Sequence, residues 1–282
     1  MYDLQTFLSV RERLASFLQE DVGAGDITSD NIIPADLEAK AKIVCKSRSA
    51  IVCGLEEASL LFDICGCKSE LLVKDGSKIE KGREVMNVSG YARAILKAER
   101  TVLNMLMRMS GIATETGRMV ELAKGVTILA TRKTAPGLRY FDKKAVVLGG
   151  GATHRMRLDD MVLIKDNHLV LVSDLRECIR LAKKNVGSSI TVECEAGTKQ
   201  EALAAVSAEA DIVMLDNFTP KQAQQTIRQI RRRGLNKVRI ELSGGINQKN
   251  IKHYSRTKPD FISLGFITHS FSAIDFSLEI TK

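Results

Sequence analysis

Six short apolar runs recur through the second half of the chain, and they restrict its possible folds more than any other feature. They read VTILATR (126–132), MVLIKD (161–166), SITVECE (189–195), DIVMLD (211–216), KVRIELSGG (237–245) and DFISLG (260–265). Helical stretches such as SDLRECIRLAKK (173–184) and TKQEALAAVSAE (198–209) lie between most of them. Strands alternating with helices at this spacing predict parallel βα units. Six or seven such units close most naturally into a barrel, with an open doubly wound sheet as the alternative.

Up to about residue 104 the texture is different. A helix over 4–20 leads into EDVGAGDITSD, a polar loop broken by glycine. Strand-like runs AKAKIVCK and AIVCG follow, then a helix LEEASLLFDIC. The turns of KDGSKIEKGREV predict a small antiparallel sheet. A long helical pattern from about Ala92 to Lys124 ends this part. The expected organisation is an N-terminal domain over 1–104 and a barrel domain over 105–265.

Composition narrows the functional classes. The chain has 282 residues, 44% apolar and 27% charged, as in an ordinary globular protein. No run approaches the ~18 apolar residues of a membrane span. The N-terminus lacks the basic start and compact apolar run of a signal peptide, so the expected location is the cytoplasm. None of the six cysteines forms a C-x-x-C pair, and all are expected to be reduced thiols. The net charge of +8 suits either nucleic acid or a small anionic substrate. Arg231 to Arg233, before Gly234, read as the basic last turn of a helix. With no tryptophan and 5% aromatic residues, stacking platforms for single strands are scarce, and nucleic-acid binding is not expected.

The ends of the six runs carry the chemistry. Arg132 and Lys133 end the first, Lys165 and Asp166 the second, Glu195 the third and Asp216 the fourth. Ser243, Gly244 and Gly245 end the fifth, and Gly265 the sixth. In a βα barrel these ends meet on one face, where active sites form. Glycines let backbone N–H groups approach an anion, so Ser243, Gly244, Gly245 and Gly265 form an expected phosphate cradle. His269 either completes it or is a surface histidine. Glu195 and Asp216 end neighbouring strands and suit Mg²⁺, which takes oxygen ligands and shares them with substrate phosphates. From Thr131 to Lys165 the chain holds Arg132, Lys133, Arg139, Lys143, Lys144, His154, Arg155, Arg157 and Lys165 against only Asp142, Asp159 and Asp160. Such a surplus fits a substrate pair carrying phosphate, pyrophosphate and carboxylates.

These residues form motifs that resemble a known family. TRKTAPGLR (131–139), KAVVLGGGATHR (144–155), IKDNH (164–168), LDNF (215–218), SGGI (243–246) and GFITHS (265–270) resemble quinolinate phosphoribosyltransferase, the carboxylating nicotinate-nucleotide pyrophosphorylase. EDVGAGDITSD and ERTVLNMLMRMSGIAT look like the same family, so the resemblance spans essentially the whole chain. It implies conversion of quinolinate and phosphoribosyl pyrophosphate, with Mg²⁺, to nicotinate mononucleotide, pyrophosphate and CO₂ in NAD synthesis. Arg132, His154, Arg155 and Lys165 would bind the two quinolinate carboxylates, with Lys133 near the pyrophosphate and the reacting centre. Glu195 and Asp216 would hold the ribose hydroxyls and the metal. Ser243, Gly244 and Gly265 would hold the 5′-phosphate. Arg100 would reach into the quinolinate site of a neighbouring subunit in a dimer or dimer-based hexamer. The implied fold is an N-terminal α/β sandwich domain plus an incomplete, roughly seven-stranded α/β barrel, with the tail 266–282 returning to the N-terminal domain. A sister family linked to molybdenum transport and the nicotinate phosphoribosyltransferases share parts of this scaffold, so the substrate rests on Arg132, His154 and Arg155 facing a dicarboxylate.

Overall fold

A computed structural model describes residues 4–172, 174–235 and 237–281. Ser173, at the head of an expected helix, and Lys282, at the end of the expected tail, lie outside the described residues, as do Met1 to Asp3 and Asn236. The chain divides into two compact units: Met1–Glu115 with Phe271–Lys282, and Thr116–Ser270.

The first unit runs α1 (Leu4–Val22), α2 (Ile27–Ile32), β1 (Glu38–Cys45), β2 (Ser49–Ile51), α3 (Leu55–Ile64), β3 (Lys68–Leu71), β4 (Lys78–Glu80) and β5 (Glu84–Tyr91), and then enters α4 (Ala92–Ala123). Val10, Leu14 and Leu18 recur every fourth residue of α1 and are buried as one stripe. The expected antiparallel pairing forms: β5 takes β1 on one side and β3 on the other, and β2 pairs with β4. Gly54, before α3, has φ 102°, and a Cβ there would lie 3.0 Å from Met109 Sδ, so only glycine fits.

The second unit is the alternating part. It runs β6 (Thr127–Ala130), α5 (Arg139–Leu148), β7 (Val162–Ile164), α6 (Asp166–Val172), α7 (Leu175–Val186), β8 (Val192–Ala196), α8 (Lys199–Ser207), β9 (Ile212–Asp216), α9 (Pro220–Arg232), β10 (Arg239–Ser243), α10 (Ile251–Ser255), β11 (Phe261–Leu264) and α11 (Phe266–His269). Among the described residues its six strands form one parallel sheet in the order β6-β11-β10-β9-β8-β7. Beyond β6, Ala152 makes a single parallel bridge to Leu129 and marks a seventh position. The sheet closes on itself. Five strand spacings from the Ala152 position to β8 would span about 24 Å in a flat sheet. Yet His154, two residues past Ala152, has Nε2 3.1 Å from Glu193 on β8. The architecture is therefore an incomplete barrel, and the open-sheet alternative is ruled out. Among the described residues no helix is long and apolar enough to cross a membrane.

Register assigns the two faces of this sheet, because paired residues of parallel strands point the same way. One face carries Ile128, Ala130, Ile164, Val192, Cys194, Val213, Leu215, Ile240, Leu242, Ile262 and Leu264, all buried. The other face carries Glu193, Glu195, Asp216, Glu241, Ser243 and Ser263. One face is thus a conventional hydrophobic layer, while the other sets acids and serines among apolar residues such as Leu163, Met214 and Leu129.

The chain finally returns to the first unit. β12 (Phe276–Thr281) pairs antiparallel with β1 and forms the edge of the sheet β12-β1-β5-β3. The approach to it runs along α4, where Ile274 N donates to Met107 O at 3.1 Å. A Cβ at Gly111 would fall 2.5 Å from Ser272 O, so glycine permits this close passage.

Candidate active site

The polar face of the barrel sheet ends in the residues expected to do chemistry. Two steps beyond Glu193 on the same face stands Glu195; two beyond Met214 stands Asp216; two beyond Glu241 stands Ser243; two beyond Ser263 stands Gly265. Alternation thus brings them to one rim, a consequence of strand periodicity rather than of any loop.

Several expected residues meet. Lys165 Nζ lies 3.0 Å from Glu195 Oε2, joining the residue after β7 to the end of β8. Asp216 Oδ2 accepts from Asn217 Nδ2 at 2.6 Å, and Asn217 N donates to Ser243 O at 3.0 Å. Gly244, φ 86°, passes so close to Asn217 that a Cβ would fall 2.2 Å from its Oδ1 and 2.7 Å from its N. Gly244 therefore has a packing reason to be glycine in addition to any contact with an anion. Gly245, φ 62°, faces open space. A Cβ on Gly265 would stand 3.1 Å from Lys133 Cδ and 3.2 Å from His269 Nε2, so these three residues form one group. Thr268 Oγ1 donates to Lys133 O at 2.9 Å and fixes the main chain there.

The basic cluster divides into two sorts. Arg139 donates to Thr134 Oγ1 and Met156 O at 3.1 and 3.2 Å. Lys143 is fully buried and donates to three carbonyls, Ala130 O at 3.2 Å, Arg155 O at 2.6 Å, and Thr153 O. Arg157 pairs with Asp159 at 3.1 Å on the surface. These cations serve the protein itself. Arg132 Nε is buried without a hydrogen-bond partner. Arg155 is buried, and burial followed by the nearby charge of Arg132 lowers its pKa. Two guanidinium groups are thus held near one another, an arrangement an anion would stabilise.

The triple glycine before them is structural. Gly150 has φ 89°. A Cβ on Gly151 would fall 2.9 Å from both Thr116 Cγ2 and Val146 Cγ1. The turn delivers Ala152 to its bridge and His154 into the barrel. His154 takes φ 49°, uncommon outside glycine. Its Nδ1 accepts the Arg155 amide proton at 2.7 Å, and Nε2 lies 3.1 Å from Glu193 and 3.4 Å from Glu241. Nε2 thus faces both carboxylates without a well-aligned hydrogen bond to either. Burial opposes charge on this ring, but the two carboxylates outweigh it and raise the pKa to about 9. The Arg155 amide works the other way, because it needs Nδ1 unprotonated. Both ring nitrogens of His154 face protein partners, whereas the sequence led us to expect a substrate carboxylate there.

Arg100 belongs to the first unit and the other residues named here to the second. Its side chain is 60% exposed, 4.0 Å from Glu99. Glu193, Glu241, Ser263 and Asn217 were not among the expected site residues. The signal for the glutamates was present, since SITVECE and RIELS place a second polar residue two positions before Glu195 and Ser243.

Residues 26–110 match the model of the N-terminal domain of quinolinate phosphoribosyl transferase, and residues 112–279 match that of its C-terminal domain. The chain belongs to this family. A probable nicotinate-nucleotide pyrophosphorylase [carboxylating] of Methanocaldococcus jannaschii is 43% identical over 276 residues, covering 95% of this chain and 96% of the relative. The rat nicotinate-nucleotide pyrophosphorylase [carboxylating] is 35% identical, covering 94% and 89%. Among solved structures, the nicotinate-nucleotide pyrophosphorylase of Francisella tularensis superposes with a TM-score of 0.90 at 35% identity, covering 96% of each chain. NadC from Streptococcus pyogenes superposes with a TM-score of 0.92 at 32% identity, covering 100% of this chain and 99% of the other. The incomplete barrel and the antiparallel sheet unit are thus the fold of quinolinate phosphoribosyltransferases.

Proposed function

We propose that this quinolinate phosphoribosyltransferase family member transfers the phosphoribosyl group of phosphoribosyl pyrophosphate to quinolinate, releasing pyrophosphate and CO₂ and leaving nicotinate mononucleotide. The observation that carries the site assignment is the buried Arg132 Nε, which has no hydrogen-bond partner, together with the buried Arg155 whose charge it opposes. Two guanidinium groups whose charges bear on one another suit a ligand with more than one negative charge. Arg132, Arg155 and Lys165 take the two carboxylates, and His154 acts through the main chain of Arg155. Ser243, Gly244, Gly245, Gly265 and His269 take the 5′-phosphate, and Lys133, beside Gly265, takes the pyrophosphate. Glu195 and Asp216 take the ribose hydroxyls.

As pyrophosphate leaves, positive charge develops on the ribose, and the two rim carboxylates face it. The pyridine nitrogen forms the new bond and becomes cationic. When the adjacent carboxylate departs as CO₂, its bonding pair stays on the ring carbon, stabilised by that cation, and takes up a proton. The role of Lys165 and the arginines is to orient the carboxylates, so no protein nucleophile is needed. Glu195 and Asp216 offer oxygen donors on neighbouring strands at a partly exposed rim, a set that fits Mg²⁺ shared with substrate phosphates. When bound, the ion would neutralise charge on the leaving pyrophosphate. We further propose a cytoplasmic dimer or dimer-based hexamer, with Arg100 reaching a neighbouring subunit's quinolinate.

The test is turnover with quinolinate and with nicotinate, each supplied separately with phosphoribosyl pyrophosphate. Quinolinate reacts and nicotinate lags by at least ~100-fold, because a site built around a second carboxylate rejects the analogue lacking it. Comparable rates would overturn the assignment.

A further inference from the structure

Glu193 and Glu241 are fully buried acids inside the barrel, on strands separated by β9. Buried carboxylates are costly unless partnered. Ser263 Oγ donates to Glu241 Oε1. The remaining oxygens, Glu193 Oε1 and Oε2 and Glu241 Oε2, have no aligned donor, and His154 Nε2 is the group between them. We propose that Glu193 and Glu241 are positioning residues for quinolinate binding: by holding the Nε2–H of His154 they fix the main chain of Arg155, and so aim its guanidinium at a substrate carboxylate.

The chain of contacts is continuous. Arg155 N–H donates to His154 Nδ1 at 2.7 Å. An Nδ1 that accepts carries no proton, so the ring proton of the neutral imidazole sits on Nε2, facing the two acids. In the charged ring Nδ1 carries a proton as well and cannot accept, so the Arg155 amide selects the neutral ring with its proton on Nε2. The same fact excludes a metal ion on these three side chains. Their ligand atoms lie within 4.8 Å of one another, but an Nε2 that keeps its proton has no lone pair to give. The His154 backbone, at φ 49°, holds a conformation that a side chain adopts only when its surroundings require it. Lys143 secures the flanking carbonyls of Thr153 and Arg155, leaving the orientation of the peptide between them to the histidine ring.

The inference rests on the reading that Arg155 meets a quinolinate carboxylate, and the experiment separates the two. Glu193→Met and Glu241→Met, singly and together, remove the acceptors at similar volume, while Glu193→Gln and Glu241→Gln keep an acceptor oxygen without the charge. For each intact enzyme one measures KM for quinolinate, KM for phosphoribosyl pyrophosphate, kcat and melting temperature. The methionine variants raise the quinolinate KM by about 10-fold, as expected when a buried N–H loses the carboxylates it faces. The KM for phosphoribosyl pyrophosphate stays within about twofold, and glutamine restores most of the loss. If the double methionine variant does not fold, the single glutamine variants still decide, through a rise of about threefold confined to quinolinate. Equal shifts in both KM values, or none, overturn the inference. Arg155→Met is the control. If it raises the quinolinate KM while the glutamate variants do not, this inference alone fails. If Arg155→Met leaves that KM unchanged, the carboxylate reading beneath it fails.

Discussion

Lys143 shows how a cation can be misread from sequence. In the run from Thr131 to Lys165 it looks like one more positive charge for a substrate, yet it lies fully buried on α5 with three main-chain carbonyls around its ammonium. Burial, then the neighbouring Arg139, Arg132 and Arg155, lower its pKa from 10.5 to about 8. Between these two values the unfolded chain holds a proton that the folded chain has released, so stability contributed by this residue rises with pH. Urea denaturation of the wild type and of Lys143→Met should therefore show a gap that widens in favour of the wild type between pH 8 and 10. A narrowing gap would mean that the three carbonyls outweigh burial. Residue type and spacing made Arg132, Lys133, Lys165, Glu195 and Asp216 legible as rim residues. They could not separate cations that face a ligand from those spent on carbonyls, because both sorts share one short segment. The inward pair Glu193 and Glu241 is hidden for a related reason: acids in the middle of an apolar strand read as interruptions until register shows which face they share.

The secondary-structure elements were more legible than their edges. All six parallel strands stand where the apolar runs predict them, but the first is Thr127–Ala130 rather than 126–132, and the second only Val162–Ile164. At their C-terminal ends the residues left out, Thr131, Arg132, Lys165 and Asp166, are polar ones that leave the ladder to form the rim, so run and strand part there where function begins. The seventh position escapes sequence reading because one bridging residue, Ala152, has no periodicity to detect. Two of the helices that follow the rim, α8 and α9, are locked at their starts by capping boxes. Thr198 and Glu201 form a reciprocal cap on α8, with Glu201 N to Thr198 Oγ1 at 3.2 Å and Thr198 N to Glu201 Oε2 at 3.1 Å. Glu201 Oε2 also accepts from Gly197 N at 2.8 Å, two residues beyond Glu195. Thr198→Ala should lower stability by about 1 kcal/mol in a urea titration. Quinolinate KM should change by less than about twofold, since the cap touches no ligand group. An unchanged midpoint would show that another group satisfies the orphan amides of α8.

At the scale of the molecule, Arg100 and Lys133 fall in different compact units, and the proposed dimer joins them by placing Arg100 of one subunit in the site of the other. Arg100→Ala and Lys133→Ala enzymes should each be nearly inactive. Mixed in equal amounts and allowed to exchange subunits, they form about half heterodimers, each with one site intact and one doubly deficient, so about a quarter of all sites recover. Demonstrated exchange without recovered activity would assign Arg100 to its own chain's site or to the fold.

The pairing of β12 with β1 also bears on the timing of synthesis. Chains fold progressively as they leave the ribosome, with N-terminal parts emerging first. Here β1 is made early, but its partner on one side, residues 276–281, follows only after the entire βα repeat has been translated. Until then one edge of β1 carries unpaired amides and carbonyls, a template for pairing with another nascent chain. The repeat has its parallel strands complete by residue 264 and needs nothing from β12. A stop codon placed before residue 276 would thus release a chain whose repeat is whole and whose first sheet has a bare flank.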